Sequence, residues 1–173
     1  MVYFPGSTLG NFAPEAALAL LRQTALLCGC DGGLLLGIDL LKDPRVIEAA
    51  YNDRRGITSA FNRNILVRIN RELGADFEVK QFTHRAFYNT AQGRIEMHLV
   101  SRRDQVVDVG GESFVFAKGE SIHTENSYKY SLPALTELAE AGGFAVEGIW
   151  TDARQYFSVA YLALRHSGPV FSV

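Results

Sequence analysis

The chain has 173 residues, 47% of them apolar and 21% charged, with a net charge of −2. That length suits one domain, or one domain with a sizeable insertion, and the apolar share is enough for a core. The charge argues against a dedicated nucleic-acid surface, and no apolar run approaches the ~20 residues of a membrane span.

Val2-Tyr3-Phe4 reads as the end of a strand, running into the loop "GSTLGN" at 6–11. From Pro14 to Leu27 the apolar residues fall at helical spacing, and Pro14 suits a first helical turn. Leu34 to Asp39 is a continuous apolar strand, expected to be buried and parallel to its neighbour. Strand, helix and strand with short joints make a βαβ unit. Pro44 to Leu73 is mostly helical, split near Gly56 and closed at Gly74. From Phe77 to Ser127 the pattern changes to period two. Strands are expected at 81–88, 94–101, 105–109 and 113–117, with closely spaced turns that imply one antiparallel meander. Helix returns at Ser131 and ends at Gly142-Gly143, and 146–151 with 158–164 form a final strand pair. The tail, 166–173, reads as loose. The expected divisions are therefore 1–43, 44–127, 128–165 and 166–173. The fold class is α/β, a partial parallel sheet carrying an inserted antiparallel α+β layer.

No phosphate loop, dinucleotide fingerprint or serine-nucleophile elbow is present. The cysteines, Cys28 and Cys30, form a C-x-C without a second ligand pair. The histidines, His84, His98, His123 and His166, have no metal-ligand spacing. No metal site is expected, and the start shows no signal-peptide pattern, so a reduced cytoplasmic protein fits best. In open α/β sheets ligands bind at the carboxyl ends of strands. "GSTLGN" ends the first strand and Asp39 the second, so both face one edge. The loop reads equally well as a plain strand–helix joint with Asn11 as N-cap. The stretch "IHTENSY" at 122–128 is the other candidate. If it is extended, Glu125 and Ser127 share a face, offering a carboxylate acceptor beside a hydroxyl donor. Neutral imidazole needs that pairing, although a solvated strand end would carry the same residues.

Five segments occur together and in order: "VYFPGSTLGNF", "LLLGIDLLKDPRVIEAAYND", "TSAFNRNILVRINRELGADF", "HRAFYNTAQGRIEMHLVSRRDQ" and "GESIHTENSYKY". The set resembles the carboxyl-terminal part of the histidine-specific methyltransferases of ergothioneine biosynthesis, from Val2 to about Leu164. The resemblance implies a class I methyltransferase (Rossmann-like) sheet with an inserted substrate-binding domain. It implies transfer of three methyl groups from S-adenosylmethionine to the α-amine of L-histidine, giving hercynine. It also implies that Gly6 and Asn11 face the amine, Tyr51 holds the carboxylate, and Glu125 and Ser127 bind the imidazole.

In that family the cofactor-binding half, with further substrate-binding tyrosines, precedes the loop matching "GSTLGN". The chain is therefore expected to be inactive alone, with no bound cofactor. Its partner would be that amino-terminal half or a second copy pairing at the open parallel edge. The alternatives are a non-catalytic histidine or amino-acid binding module and a structural remnant.

Overall fold

The computed structural model describes residues 1–29 and 32–165; Cys30 and the tail 166–173 lie outside them. The chain forms two compact units, one from Met1–Lys42 with the chain from Ser127 onward, the other from Asp43–Asn126. Both crossings fall one residue earlier than the divisions at 44 and 127, so Ser127 packs with the first unit.

The first unit is built on a four-stranded sheet. β1 (Val2–Phe4) runs parallel to β2 (Gly33–Asp39), with Val2 opposite Leu34. β2 pairs on its other side with β9 (Phe157–Leu164), antiparallel, and β8 (Phe144–Thr151) pairs antiparallel with β9, giving the order β1-β2-β9-β8. The parallel expectation for β2 therefore holds on one side only. α1 (Pro14–Cys28) and α4 (Leu132–Ala141) supply the helices. Ser131 caps α4, its Oγ accepting from the Ala134 N–H at 3.2 Å. Leu34, Leu36 and Ile38 of β2 are buried with Leu21, Leu135, Phe144 and Leu162, which is why β2 is apolar at every position a core can reach.

The second unit begins with α2 (Pro44–Tyr51), whose N-cap Asp43 accepts from the Arg45 N–H at 2.9 Å. α3 (Ile57–Leu73) is started by Asp53, which accepts from the backbone N–H of Ile57 (3.0 Å) and Thr58 (2.8 Å). The bonds from Thr58 and then Ile57 hold the Asp53 carboxyl down at about 2. Gly74 ends α3 in the left-handed region, with φ of 64°.

The expected single meander is corrected by the strand order. β3 (Phe82–Asn89), β4 (Arg94–Ser101) and β7 (Ser121–Tyr128) form one sheet in that order, while β5 (Gln105–Val109) and β6 (Glu112–Phe116) form a separate antiparallel hairpin. The cause is local to Ser101. Its Oγ donates to the Arg103 carbonyl and accepts from Gln105 Nε2, pinning a tight turn after β4. Its backbone bonds Glu120 and Gly119, so the returning chain takes the place beside β4. The hairpin is anchored separately, by Asp76 bonded to the backbone of Asp108. Phe77, Phe82 and Phe116 pack edge-on or tilted around Leu66, Leu99 and Val107.

Candidate functional site

The loop after β1 is shaped by two successive left-handed residues, Gly6 (φ 75°) and Ser7 (φ 60°). A non-glycine residue pays steric strain there. Ser7 is buried and held on three sides: its N–H donates to the Gly37 carbonyl (3.1 Å), its Oγ accepts from the Asp39 N–H (2.9 Å), and its carbonyl accepts from Gly10 (2.9 Å). The turn then winds as a short 3-10 segment, Thr8–Asn11. Asn11 is not the N-cap of α1; that position is Ala13, which has no side-chain cap. The strand–helix joint reading of the loop thus loses its capping rationale, and the Asn11 side chain is exposed.

Ser127 lies beside this loop. A Cβ on Gly10 would stand 2.7 Å from the Tyr128 carbonyl oxygen and 3.6 Å from Ser127 Oγ. Ser127 is 3% exposed. Its Oγ accepts from Lys129 Nζ at 2.8 Å, and the same ammonium lies 2.7 Å from Asp39 Oδ2. Asp39 also pairs with Lys42. Gly6, Asn11 and Ser127 thus all belong to the first unit, and Ser127 is linked through Lys129 to Asp39, which is tied to two lysines.

Tyr51 and Glu125 are gathered on the second unit. Both line one cleft of about 360 Å³, together with Ile57, Thr58, Phe61 and Met97. Tyr51 ends α2, and that end is stapled to β3. The Tyr51 carbonyl accepts from His84 Nε2 (2.9 Å), Asn52 Nδ2 donates to the Ala86 carbonyl (3.0 Å), and the Tyr88 N–H donates to Glu48 Oε1 (2.8 Å). His84 Nδ1 lies 3.0 Å from Asn62 Nδ2, so the ring is held at both nitrogens. Glu125 sits on β7, its carbonyl accepting from His123 Nε2 at 3.2 Å. A second cleft, about 260 Å³, runs along α3 beside Arg68 and Glu72, an exposed ion pair, and carries none of these residues.

Among the described residues, Glu96, His98 and His123 bring donor atoms within 4.8 Å of one another. Their arrangement is one of strand packing. Arg94 Nη2 is 2.7 Å from Glu96 Oε1, His98 Nε2 is 3.2 Å from Oε2, and the His98 and His123 rings stack at 4.5 Å. Stacked rings aim their nitrogens along parallel planes instead of at a common point, and the guanidinium already neutralises the carboxylate.

The profile of the SAM-dependent histidine-specific methyltransferase family matches residues 1–164. The chain belongs to that family. Relatives include the histidine N-alpha-methyltransferases of Mycolicibacterium smegmatis, 42% identical over 95% of this chain and 52% of the relative, and of Mycobacterium tuberculosis, 42% identical over 92% and 50%. Ergothioneine biosynthesis protein 1 of Schizosaccharomyces pombe is 28% identical over 83% of this chain and 19% of that protein. The chain thus spans about half the length of the mycobacterial relatives. The CcbJ methyltransferase of Streptomyces caelestis shares the fold, with a TM-score of 0.50 at 12% identity, covering 95% of this chain and 60% of that one. Within this histidine-specific methyltransferase fold the sheet is the Rossmann-like part, and Asp43–Asn126 is the inserted antiparallel α+β unit.

Sequence reasoning did not single out Met97, Phe61, Thr58, His84 or Lys129. Met97 comes into the cleft through the order of β4 and β7, a long-range pairing that local periodicity does not encode. Lys129 did carry a signal: a lone basic residue in "YKYSL", two positions beyond Ser127.

Proposed function

We propose that this chain is the carboxyl-terminal part of an L-histidine Nα-methyltransferase that converts histidine to hercynine by three methyl transfers. The observation that carries this reading is the sharing of one cleft by Tyr51 and Glu125, in a chain matched along its length by the histidine-specific profile. The cleft is at the small end of ligand pockets and suits an amino acid. Glu125 accepts from the substrate's ring N–H, and Ser127 addresses the other ring nitrogen. Tyr51 holds the carboxylate. The Gly6 carbonyl and Asn11 Oδ1 accept hydrogen bonds from the amine and aim its lone pair.

S-adenosylmethionine, when bound, supplies an electrophilic methyl carbon for in-line displacement. The contribution of these residues is orientation, which alone is worth several powers of ten in rate. The amine attacks as its free base, so one proton must leave before each transfer. The one acidic side chain at the carboxyl ends of β1 and β2, Asp39, is engaged by Lys129 and Lys42. It is therefore a poor fit to a cofactor ribose, and no residue of this chain is assigned to the cofactor. Catalysis then needs a cofactor-binding half like the part of the mycobacterial relatives outside the matched region, and the chain by itself is inactive.

Two measurements test this. Calorimetry of the 173-residue chain with L-histidine is expected to show binding. Fused to the amino-terminal part of the M. smegmatis relative, the chain is expected to convert histidine to hercynine, followed by mass spectrometry. A fusion that binds S-adenosylmethionine but leaves histidine unmodified sinks the proposal.

A further inference from the structure

β9 is apolar on both faces, and its residues alternate between buried and half-exposed. Ala160 and Leu162 lie on the buried side, where Ala17 and Leu21 of α1 and Leu135 and Ala139 of α4 pack with Leu34, Leu36 and Ile38 of β2. Both helices of the first unit thus cover one face of its sheet. The other face carries Tyr3, Leu35, Val159, Tyr161 and Trp150, aligned across the four strands: Tyr3 opposite Leu35, Leu35 opposite Tyr161, and Val159 opposite Trp150. Tyr3 is 66% exposed and Trp150 59%, and the three between them are half-buried. A sheet face that meets water is ordinarily polar, yet none of these positions is charged. The rings lie low on the sheet. A Cβ on Gly33 would stand 2.8 Å from Tyr161 Cε2, and one on Gly148 would stand 2.8 Å from Trp150 Cη2, so each ring covers a glycine. The result is a flat aromatic face that another element can approach closely.

We infer that this face is a docking surface for the amino-terminal half of the fold, taken by an apolar helix with small residues at the contact. This inference rests on the reading of the chain as a carboxyl-terminal part. The crossover rule decides the face. β1, α1 and β2 form a parallel unit whose helix lies on the buried side, and such units are right-handed almost without exception. Strands added beyond β1 proceed in the opposite direction across the sheet. The same hand then puts their helices on the opposite face, the one that carries Tyr3 and Tyr161. β1 is paired on one side only, so its open edge and the aromatic face form one continuous surface. A half that extends the sheet covers both. A second copy docked face to face would leave the β1 edge open. Rings that lie flat favour Ala, Gly or Ser on the incoming helix, and an uncharged face requires that helix to be apolar.

The test is hydroxyl-radical footprinting of the whole chain, alone and fused to the amino-terminal part of the M. smegmatis relative, read by mass spectrometry. It uses the parent sequence, so no variant has to fold. In the chain alone, Tyr3, Tyr161 and Trp150 are expected to be oxidised. In the fusion, Tyr3 and Tyr161 are expected to lose most of that oxidation, while Phe114, 50% exposed on the β5–β6 hairpin, keeps it. Loss at Tyr3 alone marks pairing at the strand edge without a covered face, and overturns the inference. Equal oxidation of both tyrosines in a fusion that makes hercynine also overturns it, and leaves the histidine reading standing. Protection of both in a fusion that binds S-adenosylmethionine but leaves histidine unmodified supports the docking surface and sinks the histidine reading. Protection of Tyr161 in the chain alone that grows with concentration, with a dimer by light scattering, gives the face to a second copy and overturns the inference.

Discussion

Burial by itself would raise the Glu96 carboxyl above its ordinary value of 4.5; hydrogen bonds from Arg94, His98 and Asn89 outweigh that effect and hold it at about 2. The folded value is depressed, so the ionised carboxylate stabilises the second unit above pH 4.5, and that contribution is lost as the pH falls toward 2. Amide exchange in β3 and β4 is expected to quicken steeply across that window in the parent. In Glu96→Gln it should already be faster at neutral pH and change less on acidification; identical profiles would remove Glu96 from the account. Glu125 is a different case, because the role proposed for it is recognition. Truncation to alanine removes the acceptor for the proposed ring N–H. Histidine affinity should then fall by about 2 kcal/mol or more; calorimetry that shows no change takes Glu125 out of the proposed site. Glu125 and Ser127 are singled out in the sequence because strand periodicity is exact at two residues. Lys129 extends the same period by one step and was missed because surface lysines are so common that burial alone marks this one out.

At the scale of elements, the loop Thr8–Asn11 passes so close to β7 that position 10 has no room for a side chain. Gly10→Ala would place a Cβ 2.7 Å from the Tyr128 carbonyl oxygen, and neither backbone can retreat cheaply. The expected cost is about 1–3 kcal/mol, as for other overpacked sites, read as a lower midpoint in urea; an unchanged midpoint would mean the loop is free to move off the strand. This contact also explains which elements could be foreseen. Helices α1 to α4 and the strands of the two larger sheets other than β7 follow from periodicity, prolines and glycine stops, all local signals; β7 reads only as a stretch that could be extended. The departure of β5 and β6 from the meander turns on Ser101 bonding to Arg103, Gln105, Glu120 and Gly119. No periodicity announces a serine with that many duties. The αL conformation of Ser7 is likewise set by Gly37 and Asp39, some thirty residues away in sequence, and a glycine would have been the ordinary expectation there.

At the scale of the whole molecule, the histidine-specific fold is assembled from two units with separate cores, Leu21, Leu36, Ile38 and Phe144 in one and Leu66, Phe77, Phe82 and Leu99 in the other. The chain leaves the first unit after Lys42 and re-enters it at Ser127. The two crossing strands are fastened to each other inside the first unit. The Leu41 N–H donates to the Tyr130 carbonyl at 2.9 Å, and Leu40 bridges Tyr130 in parallel. A joint closed in this way makes the length of what lies beyond it nearly irrelevant to the host, since loop-closure entropy grows only with the logarithm of length. The second unit is thus an exchangeable cassette. Excision of Asp43–Asn126 in favour of a short glycine-containing turn should leave a soluble first unit, with Trp150 on β8 as its built-in fluorescent reporter. A cooperative melt monitored at that tryptophan is the expected result, and loss of it would mean the host depends on its guest.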